Sequence, residues 1–122
     1  LNYDLITAIG LIQYLTSESE LKEFAKCCSD LLDSGGKLLL KHPLSFGKSF
    51  LLDYHREEMD TRYISSYFNF TDIMESFGPD FELLSINRTF TSENVGELLP
   101  SIERDERAMQ MWILFSKKRK TV

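Results

Sequence analysis

The chain has 122 residues, room for one domain with one modest core. Hydrophobic content of 43% and charged content of 27% are those of an ordinary globular chain and exclude a disordered polymer. A net charge of -5 excludes the basic face of a nucleic-acid-binding module, and no apolar run nears the roughly 20 residues that a membrane-spanning helix needs.

Leu5-Ile6-Thr7-Ala8-Ile9 is a near-continuous apolar run, the pattern of a strand covered on both faces as in parallel sheets, and Gly10 closes it. Leu11 to Leu15 leads into Thr16-Ser17-Glu18-Ser19-Glu20. There Ser17 and Glu20 stand at capping-box spacing, each side chain placed to satisfy a free backbone N–H. The helix that follows puts Leu21, Phe24, Ala25, Cys28, Leu31 and Leu32 on one stripe of period 3.6 and leaves Lys22, Glu23, Lys26 and Asp30 largely outside it. Cys27 and Cys28 are adjacent, and neighbouring side chains diverge on a helix, so two free thiols are expected. With no basic stretch followed by an apolar one near the start, the expected setting is the cytoplasm. Gly35 or Gly36 is expected to supply a left-handed C-cap. A strand over 37–42, built on Leu38-Leu39-Leu40, follows. Strand, helix and strand at this spacing make a βαβ unit whose two strands run parallel.

Beyond Pro43 the periodicity weakens. A helical piece is expected around 50–59, where Phe50, Leu51, Leu52 and Tyr54 mix with Asp53, His55, Arg56, Glu57 and Glu58. Asn69-Phe70-Thr71-Asp72 reads as a helix start with Asn69 as N-cap. Ile73, Met74 and Phe77 supply its apolar side, and Gly78-Pro79 stops it. Residues 81–90 alternate as a strand does, 91–107 form a polar connection, and 109–115, through Trp112, make a last strand before the solvated run Lys117-Lys118-Arg119-Lys120. The elements predict an α/β fold, a four-stranded and mostly parallel sheet with helices packed on it, ending in an antiparallel strand pair.

Two histidines carry the titratable chemistry near neutral pH. His42 ends a central strand on the side where open α/β sheets bind ligands. It is a candidate catalytic base or substrate-orienting group, or else a hydrogen-bonded strand-end residue that stiffens the turn before Pro43. His55 is flanked by Asp53 and Glu57, but no third ligand stands at a compelling spacing, so it reads as part of a solvated helical face and no metal is expected.

Three stretches together resemble the C-terminal half of a class I S-adenosylmethionine-dependent methyltransferase. Tyr3-Asp4-Leu5-Ile6-Thr7-Ala8-Ile9-Gly10-Leu11-Ile12-Gln13-Tyr14-Leu15 resembles that family's fourth strand and the turn after it. Leu31-Leu32-Asp33-Ser34-Gly35-Gly36-Lys37-Leu38-Leu39-Leu40 resembles its Leu-Leu-x-Pro-Gly-Gly-x-Leu segment before strand five. Residues 69–84, with the strand around Trp112, are similar to its last helix and closing antiparallel pair. Ser34 stands where the family has proline, and Gln13-Tyr14 where it has Glu-His. The family's first strand, its glycine-rich loop and the acidic residue after strand two have no counterpart. The opening at Leu1-Asn2-Tyr3-Asp4, inside a strand pattern, likewise points to a piece of a longer protein.

The resemblance implies a partial Rossmann-like sheet forming one domain over 1–122. Its parts would be a βαβ unit at 1–42, a lid or substrate region at 43–68, and a helix with the closing strand pair at 69–122. It implies S-adenosylmethionine as cofactor of the complete protein, bordered by the backbone at Ala8 and Ile9 and by the side chain of Gln13. Tyr54, Tyr63 and Tyr67 would line the pocket of a small-molecule substrate, the alternative being aromatic packing against the sheet. The strand holding Leu5 and Ile6 lies mid-sheet in that family, so its outer edge is expected to be covered here by a second copy or by the missing N-terminal half. Two rival functions stand beside methyl transfer: a non-catalytic assembly module, and part of another Rossmann-like nucleotide enzyme.

Overall fold

Strand β1 (Tyr3–Ile9) is followed by a single 3-10 turn at Ile12–Tyr14 and helix α1 (Glu18–Leu31). Then come β2 (Leu32–Ser45), β3 (Phe50–Arg56), β4 (Thr61–Tyr67), α2 (Phe70–Phe77), β5 (Phe81–Arg88) and β6 (Ala108–Lys117). This computed structural model describes residues 2–56, 60–88 and 107–119. Of the connection expected over 91–107, residues 91–106 lie outside the described residues.

Helix α1 starts as its sequence dictates. Ser17, in extended conformation, accepts the Glu20 amide at 3.2 Å. The Glu20 carboxylate reaches back one residue further than expected, to the Thr16 amide at 2.7 Å. The far end departs from expectation. The helix stops at Leu31, and Gly35 (φ +81) falls within β2 instead of capping the helix. Burial of Leu32 decides this. Its side chain is fully enclosed, which turns the backbone extended three residues before the left-handed glycine. The orphan carbonyls are met from a distance: Lys117 Nζ donates to Ser29 O at 2.5 Å and to Leu32 O at 2.7 Å. Gly36 has a packing reason, since a Cβ there would stand 2.8 Å from the carbonyl oxygen of Asp33. The helix buries Leu21, Ala25 and Cys28, with Phe24 half-buried beside them, whereas Leu31 is exposed. Cys27 and Cys28 are both free thiols, as expected, and burial and the adjacent Cys27 push Cys28 up to about 11.

The main sheet has the order β1-β2-β6-β5. β1 pairs parallel with β2, while β6 runs antiparallel to both β2 and β5. Three of the four strands therefore point the same way, and the closing pair is antiparallel. Helices α1 and α2 cover one face, where Ala8, Leu38, Leu40, Phe81, Ile113 and Phe115 meet Leu21, Ala25, Cys28, Ile73 and Phe77. Phe77 is the hub of this core. Its ring stacks on Phe115 at 5.2 Å and meets Phe81 and Phe24 edge-on at 6.0 and 6.4 Å. The opposite face carries Leu39, Trp112 and Leu114, half-buried, and Leu5 and Ile9, exposed; no described helix covers it. Lys41 lies over the Trp112 ring there, 5.5 Å from its centroid.

The helix expected over 50–59 is instead a hairpin, β3 paired antiparallel with β4. Cross-strand partners explain the choice. Phe50 sits opposite Tyr67, their rings stacked at 4.7 Å and 6°, and the Arg62 Nε–H donates to Asp53 at 2.8 Å. Asp60 takes the turn with φ 48, a conformation short polar residues tolerate. Neither pairing exists on a helix. Helix α2 follows the sequence closely: Asn69 accepts the Asp72 amide at 2.8 Å, and Ile73 and Phe77 are fully buried.

The hub assignment gives a direct expectation for stability. Phe77→Ala should cost about 3–5 kcal/mol through lost burial and the cavity left among three rings. Lys22→Ala, on the exposed side of α1, should change stability by no more than about 0.5 kcal/mol. Urea melts of the two variants measure this, and equal losses would contradict the packing described.

Candidate functional site

The carboxyl ends of β1 and β2 lie side by side, with Ala8 opposite Leu40 and Ile9 opposite Lys41. This is the rim at which open α/β sheets bind ligands. The chain leaves β1 through Gly10, whose φ of +64 favours glycine and whose amide donates to Lys41 O at 3.1 Å. Open space surrounds the position a Cβ would occupy. The 3-10 turn is pinned by Ile12, fully buried, and by the Ser66 hydroxyl, which donates to Leu15 O at 2.5 Å. Pinning that one residue turns its neighbours outward. Ile9, Leu11 and Tyr14 are about half exposed, at 56%, 48% and 58%, and Gln13 is half-buried between them. Ala8 faces the core. Of the three residues expected to border a cofactor, Ile9 and Gln13 thus stand at the open rim, and Ala8 contributes backbone.

His42 lies on the helix-covered face of β2, completely enclosed. The Phe68 amide donates to its Nε2 at 3.0 Å, and its ring leans on the Phe68 ring at 5.6 Å. The proton therefore sits on Nδ1, which is buried without a partner. Burial pushes the imidazole down to about 3. A general base needs a free lone pair within reach of its substrate. In this geometry the lone pair of His42 is committed to the backbone, so the ring acts as a structural acceptor joining β2 to the end of β4.

Beyond His42 a polar junction, missed from the sequence, ties the same strand end to α2. Ser45 N–H donates to Phe68 O at 3.1 Å, and its hydroxyl donates to Lys48 O at 2.7 Å. The Asn69 amide donates to Ser49 Oγ at 2.7 Å, and the Ser49 hydroxyl donates to Asp72. The run Ser45-Phe46-Gly47-Lys48-Ser49, ahead of an Asn N-cap, is the signal that was available. Small hydroxyl residues there compete for backbone groups.

The hairpin stands over this junction. Tyr67 is buried and stacked on Phe50, and the Arg107 guanidinium lies 4.2 Å from the centroid of the Phe50 ring. Tyr54 and Tyr63 are backbone register partners across the ladder, and their side chains lie outside what the structure describes. The His55 Nε2–H donates to the Asp60 carboxylate at 3.0 Å on an exposed strand, so it is solvated as expected but not helical. The hydrogen bond from Arg62 holds the Asp53 carboxyl below the usual carboxylate range. Among the described residues, Glu18, Asp72 and Glu75 bring carboxylate oxygens within 4.8 Å of one another. Glu18 and Asp72 sit in the first turns of their helices, where the dipole favours negative charge. A depression of about 570 Å3, lined by Asn2, Ser29, Asp30, Asp80, Lys117 and Lys118 among others, lies at the opposite end of the sheet from the carboxyl rim. Among the described residues, no helix is long and apolar enough to cross a membrane.

No protein-family model matches the chain, and no curated protein does. Solved structures do match. A SAM-dependent methyltransferase from Methanosarcina mazei superposes with a TM-score of 0.73 at 14% identity, over 98% of this chain and 61% of its own. An S-adenosylmethionine-dependent methyltransferase from Clostridium acetobutylicum gives 0.62 at 13% identity, over 97% and 59%. The glycopeptide N-methyltransferase MtfA, in complex with S-adenosyl-L-homocysteine, gives 0.66 at 8% identity, over 95% and 55%. The chain thus has the Rossmann-like fold of class I methyltransferases and spans about 60% of the length of the structures it matches.

The enclosed His42 makes stability depend on acid. The ring protonates near 6.5 in the unfolded chain but only near 3 in the fold, so between those values the unfolded state holds the extra proton. Stability should be full above about pH 6.5 and fall on acidification by up to about 1.4 kcal/mol per pH unit. His42→Leu should cost about 1–3 kcal/mol at neutral pH, because the Phe68 amide loses its acceptor. It should also flatten that acid slope. Urea melts at a series of pH values check both, and an unchanged slope would contradict the assignment.

Proposed function

We propose that this chain is the C-terminal half of a class I S-adenosylmethionine-dependent methyltransferase domain, acting on a small molecule in the cytoplasm and inactive by itself. The observation that carries the reading is the order β1-β2-β6-β5 with β6 reversed between β2 and β5, ending at an open rim of Ile9, Gly10 and Gln13. The likeness to solved methyltransferases over nearly the whole chain supports it.

The residues at the rim fit part of such a cofactor. Ile9, Leu11 and Tyr14 offer exposed apolar and aromatic surface of the kind that receives a base or thioether, and Gln13 offers one amide. That set contains no charged group. The ends of the cofactor that carry charge and hydroxyls would therefore be held by residues outside it. When bound, S-adenosylmethionine supplies an electrophilic methyl group on a sulfonium. The chain's part in such chemistry is to orient and to exclude water. Gly10 lets β1 end in an open turn, Ile12 and Ser66 fix that turn, and the His42–Phe68 bond sets the hairpin against the same rim. Tyr54 and Tyr63 would face the substrate from the hairpin, and Tyr67 would hold it in place through Phe50. The net charge of -5 favours a small acceptor over a nucleic acid.

Amide NMR titration of the 122-residue chain with S-adenosylhomocysteine tests the proposal. Shifts should concentrate at Ile9 to Leu15, with affinity weaker than micromolar, and Ile9→Lys should abolish them. Sub-micromolar binding would contradict the half-domain reading, and shifts absent from this rim at millimolar ligand would contradict the cofactor site.

A further inference from the structure

β1 ends at Ile9, opposite Lys41, but β2 and β6 run on side by side past that level, to the pair Ser45–Ala108. One step further the Phe46 amide donates to Arg107 O at 2.9 Å, so Phe46 and Arg107 continue the ladder as opposite residues. Opposite residues of an antiparallel pair carry their side chains on the same face, within reach of each other. Both side chains are exposed, Phe46 at 64%. The Arg107 guanidinium lies over the Phe50 ring, and Phe50 stacks in turn on the buried Tyr67. Three planar groups in series, the innermost in the core, thus hold one cation at a fixed place above the carboxyl rim. A contact of 4.2 Å to the ring centroid engages the charge and the flat of the guanidinium. Its five N–H donors lie around the edge, enough for a ligand beside the interactions Arg107 makes within the chain.

We propose that Arg107 sets the specificity for the methyl acceptor, and that the acceptor is a small carboxylic acid with an apolar or aromatic body. The proposal rests on the methyl-transfer reading and names the class of molecule that reading leaves open. A guanidinium fork matches the two oxygens of a carboxylate in one plane, so Arg107 can receive it through two parallel bonds. Phe46, on the same face, offers its ring to the body of the molecule. The Phe50–Tyr67 stack restrains a side chain that would otherwise lose much rotamer freedom on binding. Preorganisation of that kind is what distinguishes a recognition group from a solvated arginine. The chain's net charge of -5 opposes a doubly charged phosphate more than a singly charged carboxylate. All four side chains, Phe46, Phe50, Tyr67 and Arg107, belong to the strand ends and hairpin root of this chain, so the arrangement is complete within it.

NMR titration of the 122-residue chain with benzoate, benzamide and inorganic phosphate tests it. Benzoate at millimolar concentration should shift the Phe46 and Phe50 amides and the Arg107 Nε–H. Benzamide, of the same shape without the charge, should bind about tenfold more weakly. Arg107→Gln should remove the benzoate shifts, and Arg107→Lys, which keeps the charge without the fork, should restore them only in part. Both variants keep the carbonyl that accepts the Phe46 amide, and the amide spectrum verifies that they fold. Should Arg107→Gln disturb the hairpin, the ratio of benzoate to benzamide binding on the natural chain decides alone. Benzoate shifts elsewhere or absent, benzamide or phosphate binding as well as benzoate, or benzoate binding undiminished in folded Arg107→Gln would each overturn the proposal. S-adenosylhomocysteine separates it from the cofactor reading, since its shifts at Ile9 to Leu15 should persist in Arg107→Gln. With those shifts present and the benzoate shifts absent, the acceptor assignment alone falls. S-adenosylhomocysteine shifts at Phe46 that vanish in Arg107→Gln would give the guanidinium to the cofactor, which also overturns it.

Discussion

The stack of Phe77 on Phe115, flanked by Phe24 and Phe81, is the contact on which the arrangement of layers depends. Four elements meet there: α1 through Phe24, α2 through Phe77, β5 through Phe81 and β6 through Phe115. Aromatic rings of this size bury large areas and constrain each other's orientation. Placing Phe77 therefore sets how far α2 sits from the sheet and which face α1 shares with it. Only on that platform can the first residues of α2, which touch the carboxyl rim, hold a fixed position.

From the platform, order passes to the rim through backbone groups. β2 is hydrogen-bonded along both sides, to β1 and to β6, and so, like β6, is held more firmly than the edge strands. Its far end meets the rest of the chain at His42, Ser45 and the loop to Ser49, each joined to Phe68, Asn69 or Asp72. The hairpin is thereby attached to the sheet at its root, next to the turn that Ser66 fixes through Leu15. A buried imidazole serves well as such a root because it accepts one directed bond and brings no charge at neutral pH. The same features that qualify it for this role remove it from proton transfer.

Much of the frame was legible in the sequence, because it follows from local rules. The Ser17 cap, the stripe through Leu21, Ala25 and Cys28, the Asn69 cap and the alternation after Phe81 each need only neighbouring residues to be read. What escaped depends on partners far along the chain. The end of α1 is set by burial of Leu32 and by Lys117, so the nearby glycines misled. The hairpin at 50–67 hides because its stabilising pairs, Phe50 with Tyr67 and Asp53 with Arg62, come into view only when the two strands are aligned. In one strand alone, Phe50-Leu51-Leu52 followed by charges resembles the start of an amphipathic helix. At the rim, Ile9 and Gln13 followed from a family pattern, whereas Ser45 and Ser49 carried no pattern beyond being small and polar.

Lys117 closes the last turn of α1 from 85 residues downstream, and the strand that carries it also fills the second side of β2. Both acts belong to residues far downstream of β2. During synthesis the unit of β1, α1 and β2 therefore emerges before β6, with its helix terminus unsatisfied and one side of β2 unpaired. The pairs that complete it span most of the sequence, and loops of that size close late. The βαβ unit is in that sense completed by β6. Until β6 arrives, β2 presents a free edge open to non-native pairing.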